Sequence, residues 1–168
     1  MVWSLLIAGA VTLILGGCGG DIKKPAAEIS MEKGGEFRID FYAEDAPKTV
    51  ENFVTLAKKG FYDSLTFHRV QPGVLVHGGD PKGDGSGGPG YTIKAEFNKQ
   101  KHVRGAVAMA RLVSPDSAGS QFYIMLAGAG ELDGQYAVFG KVTSGMEVVD
   151  RIALGDKMKT VKIVEAAP

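Results

Sequence analysis

The sequence is poor in the residues that build disulfides and metal centres. It has one cysteine, Cys18, and three histidines, His68, His77 and His102. A single cysteine excludes an intramolecular disulfide and a cysteine-based zinc cluster. The histidines do not follow the spacing of a metal-binding motif such as His-Glu-x-x-His. We therefore expect no metal and no cofactor.

An excess of charge is also absent. The chain carries 19 basic and 19 acidic residues, so its formal net charge is zero. Proteins that bind nucleic acid need a basic face to contact phosphates, and this balance argues against nucleic acid as a partner. Glycine is abundant, with 24 residues, and 45% of the residues are hydrophobic. The composition indicates one domain that buries a core and turns often.

Charged side chains are missing from residues 1–20, where an apolar run ends in small residues. This pattern is typical of a secretory signal. The ending Leu15-Gly16-Gly17-Cys18 further resembles the bacterial lipobox, in which the cysteine is acylated. We predict a signal peptide over residues 1–17, lipidation of Cys18 and a tether over residues 18–27. The protein is then expected at the bacterial cell envelope, lipid-anchored and extracytoplasmic.

Two alternatives to a lipoprotein signal are open. About 20 apolar residues can span a bilayer, so the segment could be an uncleaved anchor, although its five glycines disfavour a membrane helix. The second alternative is that the translation start has been wrongly assigned. Signal peptides usually begin with Lys or Arg residues before their apolar run. This sequence has none there, which departs from the usual pattern.

Residues 28–168 have the pattern of a mainly β domain. Phe37, Ile39 and Phe41 alternate with polar residues, which is typical of a half-buried strand. Asp45 is a candidate N-cap for a helix that has Pro47 in its first turn and stops at Gly60. The remaining predicted elements are a second helix near Met146–Ala153, a glycine-rich loop over 81–90, and strands at 28–32, 65–70, 74–77, 106–110, 121–126, 136–142 and around 161–163. Many short strands without βαβ alternation predict a closed eight-stranded antiparallel barrel capped by two α-helices.

Common catalytic motifs are absent from this domain. Ser120 does not lie in the Gly-x-Ser-x-Gly turn of hydrolases. The glycine-rich loop lacks the Gly-Lys-Ser/Thr ending of a phosphate-binding loop. The chemistry therefore needs another explanation.

An ordered set of short motifs supplies one. These are Ala46-Pro47-Lys48-Thr49-Val50-Glu51-Asn52-Phe53, Phe67-His68-Arg69-Val70, Pro72-Gly73, Gly78-Gly79-Asp80, Met109-Ala110, Gly119-Ser120-Gln121-Phe122 and Val138-Phe139-Gly140-Lys141-Val142. In order and spacing they resemble the cyclophilin family of peptidyl-prolyl cis/trans isomerases over about residues 28–165. The resemblance implies an enzyme that isomerises X-Pro bonds and assists the folding of extracytoplasmic proteins. Its partners would be X-Pro segments of flexible proteins and, through the lipid, a membrane; a monomer is expected.

The resemblance also implies roles for individual residues. Arg69 would stabilise the twisted amide, and Gln121 would orient Arg69 and contact the substrate backbone. Main-chain groups of Ala110 and Arg111 would hold the residues before proline. The resemblance places the proline ring in an apolar slot formed by Val74, Leu75, Tyr123 and Leu132.

The chain departs from the family pattern at the cleft. Val74-Leu75 replaces an aromatic-methionine pair, and Glu131 replaces the tryptophan associated with cyclosporin binding. The usual glutamine, asparagine and active-site histidine are His77, Arg111 and Tyr136. Because the ordinary pKa of histidine is about 6.5, His77 predicts a modest decline of activity as the pH falls through that value. These departures also favour an alternative function, a proline-peptide-binding chaperone or scaffold with little turnover.

Overall fold

The computed structural model describes residues 25–165, which form eight strands, two α-helices and two short 3-10 turns. The strands are β1 (Pro25–Met31), β2 (Glu36–Phe41), β3 (Arg69–Gln71), β4 (Leu75–Gly78), β5 (Ala106–Met109), β6 (Phe122–Met125), β7 (Val138–Ser144) and β8 (Met158–Glu165). The helices are α1 (Pro47–Lys58) and α2 (Met146–Val149), and the 3-10 turns are Pro115–Ser117 and Gly130–Leu132. The predicted strands at 28–32 and around residues 37–41, both helices and the irregular segment over 81–90 are all present. Strand β1 begins at Pro25, so residues 25–27 of the predicted tether belong to the sheet.

The strands form one antiparallel sheet in the order β3-β4-β6-β5-β7-β2-β1-β8. The prediction of a closed barrel is wrong: β3 and β8 lie at the two edges, and the sheet is an open half-barrel. A single bridge between Thr66 and Lys157 connects the segments that precede these strands. Strand β3 has three residues, and all of them pair with β4.

Helix α1 packs against the sheet through the main hydrophobic core. Its apolar residues Val50, Phe53 and Ala57 are buried, as the periodicity predicts. Phe53 contacts Phe122 and Phe139 of the sheet, with ring centroids 5.5 and 5.4 Å apart. The residues of β5 and β6 that point to this side therefore form the main core, and those that alternate with them face the opposite side.

The N-terminus of α1 differs from the prediction. The N-cap position is Ala46, which gives no side-chain cap. The carboxylate of Glu96 instead accepts the N–H groups of Lys48 and Thr49, at 3.0 and 2.7 Å. Asp45, the predicted cap, accepts a hydrogen bond from the side chain of Gln100 at 2.8 Å. A negative charge does stabilise this helix end, but it comes from a distant part of the chain.

Helix α2 ends at Val149 instead of Ala153. The following residues turn more tightly, with N–H groups of Arg151 and Ile152 donating to carbonyls three residues earlier. The Asp156 carboxylate accepts the N–H of Ala153 at 3.0 Å, which fixes this turn. Within residues 25–165 no helix is long and apolar enough to cross a membrane. The predicted signal peptide and Cys18 lie outside the described residues.

Candidate active site

The face of the sheet opposite the main core carries a row of side chains across five strands. Arg69 lies opposite His77, His77 opposite Tyr123, Tyr123 opposite Ala108, and Ala108 opposite Val138. Residues directly opposite each other in antiparallel strands point to the same face. The register therefore places the predicted catalytic arginine beside two predicted substrate-binding residues.

An apolar cluster adjoins this row. Ala106, Ala108, Tyr123, Met125, Ala129 and Val138 form its buried part. Leu75, Ala110, Leu132 and Tyr136 pack against it and are partly exposed. Val74 lies just outside, in the turn before β4, and is 45% exposed. The structure thus brings together Leu75, Tyr123 and Leu132, three of the four residues that the resemblance assigned to the slot, and Val74 is not part of this cluster.

The Arg69 side chain is exposed and points out of a short edge strand. Among residues 25–165, no acidic side chain lies within ion-pair distance of its guanidinium. An arginine stays protonated at any physiological pH and offers five N–H donors in a fixed plane. Within the described part of the chain, Arg69 is therefore an exposed cation without a carboxylate partner, next to His77 in the sheet.

Gln121 precedes β6 and interacts with the glycine-rich loop. Its Nε2 donates to the carbonyl oxygens of Gly85 and Gly87, at 2.9 and 2.8 Å. The expected hydrogen bond to Arg69 is not among the contacts of the described residues. Both side-chain N–H groups are used by the loop, which leaves the amide oxygen for other partners.

Asp80 holds the same loop from the inside. This residue is 1% exposed, and its carboxylate accepts the N–H groups of Lys82, Asp84 and Gly85 at 2.8, 3.1 and 2.5 Å. Burial alone would raise the pKa of Asp80, but these backbone donors outweigh it and the pKa lies below its usual value. The loop is thus fixed by an ionised carboxylate on one side and by Gln121 on the other.

Comparisons with known proteins match this arrangement. The family model for cyclophilin type peptidyl-prolyl cis-trans isomerases matches residues 26–167. The chain is 49% identical to peptidyl-prolyl cis-trans isomerase B of Bacillus subtilis over 135 residues, covering 79% of this chain and 94% of that protein. It is 46% identical to a peptidyl-prolyl cis-trans isomerase of Helicobacter pylori over 143 residues, covering 83% and 86%.

This chain belongs to the cyclophilin family. The family and the relatives give its activity, peptidyl-prolyl cis-trans isomerisation.

A solved cyclophilin from Cryptosporidium parvum has the same architecture. Its structure superposes on this cyclophilin with a TM-score of 0.77 at 27% identity, covering 84% of this chain and 98% of that one. A second structure of the parasite protein, determined in the presence of the dipeptide Ala-Pro, gives a TM-score of 0.72 at 26% identity.

His77 behaves differently from its sequence-based expectation. Its ring lies 4.6 Å from that of His68, centroid to centroid, and its Nε2 is buried without a hydrogen-bond partner. Burial, and then the neighbouring His68 and Arg69, lower the pKa of His77 to about 4, against weaker opposing effects of Gln121 and Asp80. A pKa this low removes the physical reason for expecting a decline of activity near pH 6.5.

Arg111 and Tyr136 form one unit at the rim of the cleft. The Arg111 guanidinium carbon lies 4.7 Å from the centroid of the Tyr136 ring and 5.7 Å from that of Phe97. Its Nε donates to the Gln135 carbonyl at 3.1 Å and its Nη1 to the Leu112 carbonyl at 2.9 Å. Arg111 thus ties the loop after β5 to the loop before β7.

The remaining predicted positions add two details. The N–H of Ala110 donates to the Gln121 carbonyl at 3.0 Å, so it is used within the protein. Glu131 is exposed in the second 3-10 turn, where its carbonyl accepts the Gln135 side chain at 2.6 Å. In this cyclophilin the position therefore presents a carboxylate to solvent.

Sequence reasoning missed two residues behind the slot. His102 is 2% exposed, and its Nε2 lies 2.9 Å from the Tyr123 hydroxyl. Its Nδ1 lies 3.1 Å from a carboxylate oxygen of Asp133. The sequence pattern offers His102 only as a candidate metal ligand. Its partners Asp133 and Tyr123 are distant in the sequence, so local patterns do not reveal them. Across residues 25–165 no group of three or more His, Cys, Asp or Glu residues is placed to hold a metal.

Proposed function

We propose that this cyclophilin accelerates rotation about X-Pro bonds through the guanidinium of Arg69. Resonance opposes the rotation by about 18–20 kcal/mol. Rotation breaks that resonance and localises a lone pair on the prolyl nitrogen. A donor fixed where charge develops only in the twisted state lowers the barrier selectively. The observation that carries this proposal is the exposed guanidinium of Arg69, which has no carboxylate partner among residues 25–165 and lies in one row with His77 and Tyr123.

The substrate is an X-Pro segment whose proline ring occupies the apolar slot. Leu75, Tyr123 and Leu132 belong to the cluster that lines it, and Val74 extends the slot at its exposed edge. The dipeptide Ala-Pro used with the Cryptosporidium parvum cyclophilin has this chemistry. Flexible and unfolded proteins expose such segments, so they are the proposed clients.

Gln121 acts through the glycine-rich loop. Its two hydrogen bonds to the Gly85 and Gly87 carbonyls fix the side of the cleft next to β4. The amide oxygen of Gln121, which does not bind the loop, is the group proposed to contact the substrate backbone. Arg111 and Tyr136 form the opposite rim, and the main chain of residues 110–111 holds the residues before proline.

The proposed location is the extracytoplasmic side of a bacterial membrane, with the protein as a monomer anchored by lipid on Cys18. The apolar run and the sequence Leu15-Gly16-Gly17-Cys18 support this location. With β1 beginning at Pro25, the tether is shorter than predicted. Seven extended residues reach about 25 Å, so the domain would stay near the membrane surface.

Substitution of Arg69 tests the mechanism. We predict that Arg69→Ala lowers kcat/KM for an Ala-Pro peptide by about two to three orders of magnitude, the usual loss for one preorganised donor. Folding should be nearly unchanged because Arg69 is exposed. The measurement is NMR exchange or a protease-coupled assay.

Arg151→Ala is the matched control, since Arg151 is also exposed but lies after α2, outside the cleft. It should keep wild-type activity. Activity of Arg69→Ala within about tenfold of wild type would remove Arg69 as the main electrostatic element. Peptide binding without turnover in the wild-type protein would support a binding module instead.

A further inference from the structure

A chain of hydrogen bonds connects the protein surface with the floor of the cleft. The Asp133 carboxylate accepts the backbone N–H of His102 at 2.8 Å and lies 3.1 Å from its ring Nδ1. The other ring nitrogen, Nε2, lies 2.9 Å from the Tyr123 hydroxyl. The His102 side chain is fully buried, and Tyr123 is 5% exposed.

The direction of each hydrogen bond follows from the charge of Asp133. The backbone N–H of His102, and then Lys101, whose Nζ lies 3.1 Å from the other carboxylate oxygen, lower the pKa of Asp133 to about 2. An ionised carboxylate only accepts hydrogen bonds, so Nδ1 of His102 carries the proton. A ring that carries this single proton accepts at Nε2, and the Tyr123 hydroxyl then donates to it.

These contacts restrict the Tyr123 ring. The ring stacks on that of His102, with centroids 6.0 Å apart, and meets the edge of Tyr136 at 5.7 Å. Its hydroxyl proton is engaged by His102 and is therefore not offered to a substrate. What Tyr123 presents to the cleft is an aromatic surface in a fixed orientation, in the same row as His77 and Arg69.

We propose that His102, anchored by Asp133, is a positioning residue for the proline slot. It selects one orientation of the Tyr123 ring, so the slot exists before the substrate arrives. Pre-organisation of this kind strengthens binding because less freedom is lost on association. The proposal rests on the proposed function, in which Tyr123 lines the slot. Loss of the His102 side chain should raise KM and leave kcat nearly unchanged, because Arg69 still acts on the bound amide.

Three variants test this role with an Ala-Pro peptide. His102→Leu removes both ring contacts, and Tyr123→Phe removes the hydroxyl. We expect each to raise KM about three- to tenfold with kcat within about twofold, and the double variant to be no worse than the single ones, since both break one interaction. His102→Gln places an amide oxygen near the position of Nε2, which can accept the Tyr123 hydroxyl. It should return KM to within about twofold of wild type.

Tyr91→Phe is the matched control. The Tyr91 hydroxyl donates to the Asn52 side chain at 2.7 Å, outside the cleft, so its loss should change the melting temperature without changing KM. Nitrogen-15 NMR of His102 should show a protonated Nδ1 and an unprotonated Nε2. A KM of His102→Leu equal to that of Tyr91→Phe, or the opposite tautomer, would overturn the positioning role. Either result would leave the Arg69 mechanism intact, which is tested separately by Arg69→Ala.

Discussion

Arg69 and His77 lie opposite each other in neighbouring strands but differ in solvent exposure. Arg69 is exposed and keeps its charge, whereas the His77 ring is packed against His68 with a buried, unpaired nitrogen. Burial disfavours the charged form of an imidazole, and the cation beside it acts in the same direction. A neutral His77 therefore does not compete with Arg69 for the electron-rich atoms of a substrate.

We predict that kcat/KM stays flat between about pH 6 and 8, since an arginine side chain does not titrate in this range and the pKa of His77 is about 4. Initial rates with an Ala-Pro peptide, measured together with circular dichroism, provide the test. His77→Gln should give the same flat profile. A decline near pH 6.5 in the wild-type protein that disappears in His77→Gln would show that His77 titrates in the cleft.

The same residue should make stability depend on pH. In the unfolded chain His77 binds a proton at its ordinary pKa, about 6.5, but in the folded chain only near pH 4. The unfolded state thus binds more protons between these values, so stability falls as the pH is lowered from about 6.5 to about 4. The loss amounts to at most about 3 kcal/mol. Urea unfolding should show that the free energy of unfolding changes less between pH 7 and pH 4.5 in His77→Gln than in the wild-type protein. An equal change in both proteins would contradict the burial of His77.

At the scale of elements, local patterns predicted the β-strands and α1 well because alternation and helical periodicity report which face is buried. Tyr123 was placed in the cleft by the family motif, and its register with His77 agrees. Contacts between distant segments were not predictable from these patterns. Examples are the cap that Glu96 provides for α1, the loop carbonyls that occupy Gln121, and the His102 ring behind Tyr123.

The glycine-rich loop illustrates such a contact and yields a prediction. A Cβ atom on Gly87 would lie 2.0 Å from a carboxylate oxygen of Asp80, whereas one on Gly88 would meet nothing within 4 Å. Because Asp80 is buried and holds three backbone N–H groups, it has little room to move. We predict that Gly87→Ala destabilises the domain by about 1–3 kcal/mol and lowers isomerase activity through Gln121.

Gly88→Ala is the control for this loop, and it should unfold at the wild-type temperature. Thermal unfolding followed by circular dichroism should place the midpoint of Gly87→Ala several degrees lower, at about 2–4 °C for each kcal/mol. Equal midpoints for the two alanine variants would mean that the close approach of Gly87 to the Asp80 carboxylate does not limit the side chain at position 87.

At the scale of the whole molecule, the described domain carries the fold and the cleft, while the proposed anchor lies before it. We predict that Cys18→Ser moves the protein from the membrane fraction to the soluble fraction with unchanged kcat/KM. Acyl chains anchor a protein stably when two or more are attached, and their site would be lost. The measurement is fractionation followed by the isomerase assay.

Gly19→Ser, which keeps the cysteine, serves as the control and should stay with the membrane. Retention of the Cys18→Ser variant in the membrane fraction would support the uncleaved anchor in place of lipidation.

The pairing of β1 with β8 has a consequence for biosynthesis. Pro25 pairs with Glu165, so the first and last strands of the described domain are neighbours in the sheet. During translation at about 5–20 residues per second, β1 waits roughly ten seconds or longer for its partner. Through that interval β1 presents an unpaired edge to other nascent chains. A protein that assists the folding of others would thus need protection of its own N-terminal strand until the ribosome has finished the last one.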